Sequence, residues 1–205
     1  MGIHDKEHVL CENRAQWRAW MAQNAATSTG VWLVTWKKAS GKPQLSYDDA
    51  VSEALAFGWV DSRPGTVDEN QTKGYYSPRK ATSGWSRVNK NRIDVLRAEG
   101  AMTPQGEAVI AAAVANGAWT ALDDVENLVE PTELCELLDV TPVARTNWDA
   151  FPRGAKRGIL EWIQLAKQPE TRARRIAETA EAAARGERAN QWKRPATDEG
   201  GAGGP

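Results

Sequence analysis

The chain has 205 residues, 41% of them hydrophobic, enough for one or two domains with their own cores. A formal net charge of −1 excludes a uniformly basic nucleic-acid binder, and no apolar run approaches the roughly 20 residues that a membrane span needs. The charge is unevenly placed: residues 153–194 hold eleven Lys and Arg against five Glu, which predicts an acidic body with a basic helical end.

In chain order, Trp17, Trp20, Met21 and Asn24 fall at helical spacing and predict a helix over about 13–25. "GVWLVTWKKAS" reads as a strand at 31–37, with β-branched and aromatic residues between Gly and Ser punctuation. Ser46, three residues before Asp49, caps a helix at 47–57 that Gly58 stops. "GWVDS" at 58–62 is a second strand, and "TKGYYSPRK" contains a third, which Pro78 ends or confines to an edge. Ser86 caps a helix at 87–99 closed by Gly100, and Thr103 with Pro104 opens another that Gly117 closes. Short helices follow at 131–138 and 142–151, then two longer ones separated by Pro169. The expected fold is α+β, mostly helical, with a small antiparallel sheet and a C-terminal helical unit. Its expected divisions are a body at 1–120 that holds a pocket, a connecting segment at 121–147, a basic helical unit at 148–192 and a flexible tail at 193–205.

The stretches "WKKA", "YDDAVSEALAFGWVDS", "SPRKATSGWSRVNKNRI", "AMTPQGEAVIAAAVANGAW" and "WDAFPRGAKRGILEWIQLAKQPETRARRI" occur here in one order. Over residues 14–188 they resemble the YdeI/OmpD-associated, or bacteriocin-protection, family. The resemblance implies a role in resistance to bacteriocins, cationic antimicrobial peptides or other stress, and an association with an outer-membrane porin. It supplies no catalytic residues. A porin partner requires export, and "MGIHDKEHVLCENRAQW" lacks the uninterrupted apolar segment of a signal peptide, so that association is not expected to carry over. Cytoplasmic is the expected location, with Cys11 and Cys135 as two buried or idle thiols; the alternative is a long-range disulfide.

Ten tryptophans against two phenylalanines mean that indoles supply much of the core volume. Trp59 in "GWVDS" and Trp85 in "SGWS" adjoin polar motifs, so they are the candidates for the walls of a small-molecule pocket. Between them, "YYSPRKATSGWSRVNKNR" places Arg79 at a strand end and Ser86, Asn89 and Lys90 at a helix start. Cations there oppose the helix dipole, which invites an anion as the explanation. Arg79, Ser86, Asn89 and Lys90 are therefore expected to contact a small anionic or polar ligand, with Asp61 and Glu53 as polar partners. The alternative is that Arg79 pairs with Asp61 or Glu53 inside the protein. An enzyme in the same pocket would use Asp61 or Glu53 as acid or base. His4 and His8, the only histidines, lie in an N-terminus expected to fray, and no metal-ligand spacing or nucleotide fingerprint occurs, so no metal or cofactor is expected. A third reading makes the basic C-terminal helices an interaction surface. Their lack of interleaved aromatics argues against nucleic acid.

Overall fold

The structure, a computed structural model, describes residues 2–190, so the expectations for Trp192 and for the tail at 193–205 lie outside it. The chain divides after Asp123 into two units. The first contains β1 (His8–Leu10), α1 (Arg14–Asn24), β2 (Val31–Trp36), α2 (Tyr47–Ala56), β3 (Trp59–Thr66), β4 (Gln71–Pro78), α3 (Arg87–Ala98) and α4 (Pro104–Ala115). The caps expected for α2, α3 and α4 are made: Ser46, Ser86 and Thr103 accept from the backbone N–H of Asp49, Asn89 and Gly106.

The four strands lie in the order β1-β2-β4-β3. β2, β4 and β3 are antiparallel neighbours, as the sequence suggests, but β1 pairs with β2 in parallel, so the sheet is mixed. His8 is thus strand-bound rather than frayed: it is paired with Trp32 and sets its ring edge-on to that indole at 6.2 Å. β3 continues to Thr66, past the expected end at residue 62. Pro64 lacks an N–H, and it is tolerated because β3 is an edge strand.

α1 and α2 pack together, and α2 packs on β3. Trp17, Trp59 and Trp85 are all fully buried, and the first two satisfy their indole N–H groups on backbone: Trp17 on Ala50 O (3.0 Å) and Trp59 on Ala25 O (3.2 Å). Gly58 ends α2 at φ +75°, a left-handed conformation that costs glycine little.

α4 approaches the end of α2 closely. The Ala56 carbonyl accepts from both the backbone N–H (3.1 Å) and the hydroxyl (2.6 Å) of Thr103, and a Cβ on Gly106 would lie 2.2 Å from that same oxygen. Gly106→Ala is therefore expected to force α4 away from α2 and to cost about 1–3 kcal/mol, the usual penalty for overpacking. Chemical denaturation would read it, and a neutral result would mean that the helix crossing is looser than described.

The second unit contains α5 (Asp123–Glu126), which begins at the boundary, then α6 (Thr132–Val140), α7 (Pro142–Ala150), α8 (Arg153–Gln164) and α9 (Pro169–Ala184). α9 packs against α6, α7 and α8. Leu134, Leu138, Ala144, Trp148, Ile159, Leu160, Ile163 and Ile176 form a core separate from that of the first unit. No helix among the described residues is long and apolar enough to cross a membrane.

Candidate functional site

Alternation along the strands puts Leu33 and Thr35 of β2, and Thr72, Gly74 and Tyr76 of β4, on one face of the sheet. A cavity of about 300 Å³ opens on this face, lined also by Leu45, Ser46, Tyr47, Ala50, Asp61 and Pro64. Gly74 forms part of its floor by having no side chain. It is paired with Leu33, and a Cβ there would already press on the Tyr76 ring at 3.2 Å.

Asp61, Tyr47 and Tyr76 come together at this cavity. Asp61 is paired with Tyr76 across the β3–β4 ladder, just before a register shift between Asp61 and Arg63 that bends the edge strand. The Ser46 cap fixes the start of α2 at Tyr47, whose hydroxyl donates to Asp61 Oδ2 at 2.7 Å. Burial, then the hydrogen bond to Asp61, pushes the Tyr47 phenol up to about 12. The Tyr76 phenol also rises, through burial first and the nearby Asp61 charge second. Both phenols are therefore neutral donors at physiological pH. The Tyr76 hydroxyl has no hydrogen-bond partner among the described residues.

The other sequence-predicted residues do not join Asp61. Glu53 is 1% exposed and is held by Arg14 Nε (2.5 Å) and Arg18 Nη1 (2.7 Å), so it ties α1 to α2 and does not face this cavity. Trp59 and Trp85 are buried core residues, and neither lines the cavity at Asp61. Ser86 is occupied as a cap and Asn89 accepts from Arg92. Lys90 pairs with Asp123 and lies 5.2 Å over the Trp119 ring, while Arg92 pairs with Asp48. Lys90 and Arg92 thus meet protein carboxylates.

Arg79 is the exception. Its guanidinium stacks on Trp85, 3.9 Å from the ring centroid, and Nη2 donates to the Gly84 carbonyl. Nε and Nη1 are buried with no partner, and burial, only partly opposed by Asp61, lowers this group to about 10. It pairs with neither Asp61 nor Glu53.

What the sequence missed is the apolar and small part of the site: Leu33, Thr35, Leu45, Thr72 and Gly74. The signal was the two-residue spacing on two paired strands, which becomes informative once their register is known.

Two family models match the chain. Residues 9–109 match one described as Domain of unknown function (DUF8412), and residues 127–186 match one described as Bacteriocin-protection, YdeI or OmpD-Associated. No curated protein and no solved structure matches. The gap between the two matched segments contains the boundary at Asp123, and the Asp61 cavity lies wholly within the first.

Proposed function

For a chain whose residues 127–186 belong to the YdeI or OmpD-associated, bacteriocin-protection family, we propose that the first unit binds a small polar ligand in the cavity at Asp61. The observation that carries this reading is the convergence of Asp61 and Tyr47 with the unpartnered Tyr76 hydroxyl on a hollow in the sheet whose apolar wall is Leu33, Leu45, Ala50 and Pro64. Apolar walls with a few convergent polar groups are the usual form of a small-molecule site. At about 300 Å³ the cavity is at the small end of such sites.

The ligand differs from the anion first expected. Lys90 and Arg92 are already neutralised by Asp123 and Asp48, and the charged group among the lining residues beside Tyr47 and Tyr76 is a carboxylate. An acid–base enzyme in this cavity would have to rely on Asp61, because Glu53 is held by two arginines and both phenols are raised away from basicity. Binding is the reading that needs no further group.

The biological role we propose is protection against antimicrobial compounds, by the description of the family at 127–186. That description belongs to the second unit, so the binding and protective roles are separable by mutation. A thermal-shift screen of small polar metabolites and antimicrobial compounds tests the binding role. A ligand at 100 times its dissociation constant adds about 2.7 kcal/mol, a shift of several degrees. Gly74→Val, which fills the cavity floor, is expected to abolish that shift. A hit that stabilises Gly74→Val equally, or silence across the panel, would sink the proposal.

A further inference from the structure

Resting on that cavity reading, we infer that the site selects small organic cations: an ammonium group on Asp61, with an apolar body against Leu33, Leu45 and Pro64. The argument begins with the charges. Asp61 and Lys73 are the only ionisable side chains of formal charge among the lining residues. Lys73, however, points its ammonium to the opposite face of the sheet, 4.6 Å over the Trp32 ring and 3.4 Å from His8 Nε2. The charge left beside the cavity is therefore negative.

The surrounding cations do not reverse this. Arg92 is taken by Asp48, and Arg79 is locked against Trp85 and Gly84 O with its Nε and Nη1 sealed from solvent. Arg79 acts on Asp61 only through space.

The aromatic groups point the same way. A carboxylate beside Tyr47 and Tyr76, both of which line the cavity, offers an ammonium a charge partner with neutral hydroxyl acceptors next to it. Tyr47 engages only Oδ2 of Asp61, so Oδ1 has no partner among the described residues. An anion would meet the carboxylate itself and would find only neutral side-chain donors to oppose it, since the Lys73 ammonium lies on the other face. The structure thus discriminates by sign of charge rather than by shape.

The test uses three near-isosteric probes, benzylamine, benzyl alcohol and benzoate, titrated at equal ionic strength into the full chain and its Asp61→Asn variant. Binding is followed by amide chemical shifts at Leu33, Thr72 and Gly74. Benzylamine is expected to bind at least tenfold more tightly than benzyl alcohol, with benzoate weakest. Asp61→Asn should weaken benzylamine by roughly ten- to hundredfold, the range for losing a charged hydrogen bond, and weaken the uncharged benzyl alcohol by much less, so that the preference for the amine is lost. If benzyl alcohol or benzoate binds as well as benzylamine, or if the variant keeps the amine, the cation inference falls while the cavity reading stands. If none of the three shifts those amides, both fall.

Discussion

Replacing Glu53 by alanine is expected to destabilise the first unit by about 1–3 kcal/mol, the range for losing charged hydrogen bonds, because Arg14 and Arg18 are partly exposed and water takes up their charge once the buried carboxylate is gone. Glu53 sits in α2 with almost no exposure, between two guanidinium groups from successive turns of α1. Arg18 extends the network, with Nη2 donating to Ala101 O at 2.9 Å and its guanidinium 5.6 Å from the Phe57 ring centroid. One carboxylate therefore joins α1, α2 and the turn after α3. Glu53→Gln keeps the shape and loses the charge, so its cost should be smaller than that of Glu53→Ala. Tryptophans occur in both units, so amide hydrogen exchange in α1 and α2 is the readout that isolates this one. Protection factors unchanged in Glu53→Ala would mean that apolar packing alone holds α1 on α2.

The same residue shows where sequence reading succeeds and stops. Glu53 was expected as a polar partner in the pocket, or, on the alternative reading, as a partner of Arg79 inside the protein. Its actual partners, Arg14 and Arg18, lie 39 and 35 positions away and are brought in by the packing of α1 on α2. Helix caps behaved differently, because Ser46, Ser86 and Thr103 act within three residues of themselves. β1 escaped because a three-residue parallel strand has no local signature, and the far half of β3 escaped because proline is permitted only by the strand's edge position.

The candidate site follows the same division. The positive charges at the start of α3 were expected to meet a ligand anion, whereas Arg92 and Lys90 pair with Asp48 and Asp123, 44 and 33 positions away. Asp61 was found because it follows an aromatic strand. Its setting with Tyr47 and Gly74 depends on the β3–β4 register and on where α2 begins, which no single stretch of sequence encodes. The two family matches divide the chain in a related way. The sequence resemblance extended one family across 14–188, whereas its model matches 127–186 and a separate model matches 9–109. The cavity and the protection description thus lie on different segments.

In the second unit the largest expected effect is at Trp148, where substitution by alanine should cost about 3–5 kcal/mol. Trp148 is fully buried in α7, sets its ring edge-on to Phe151 at 6.0 Å, and donates its indole N–H to Glu130 Oε1 at 2.7 Å. Glu130 also accepts from Arg145 (2.9 Å) and from the Cys135 thiol (3.3 Å). Burial alone would raise the Glu130 carboxyl, but the bonds from Trp148, Arg145 and Cys135 outweigh it and hold the group below the ordinary carboxylate range. A depressed carboxyl contributes stability that is present above the unfolded value, near pH 4.3, and is lost as pH falls through the lower folded value. Trp148→Phe keeps most of the ring volume but removes one donor, so the folded value should move up toward the unfolded one. Its stability at neutral pH should fall, and the loss on acidification below about pH 4.3 should be smaller than in the wild type. Urea midpoints of both proteins across that acid range would measure the difference. Parallel curves would assign Trp148 a packing role alone, and leave the Glu130 depression to Arg145 and Cys135.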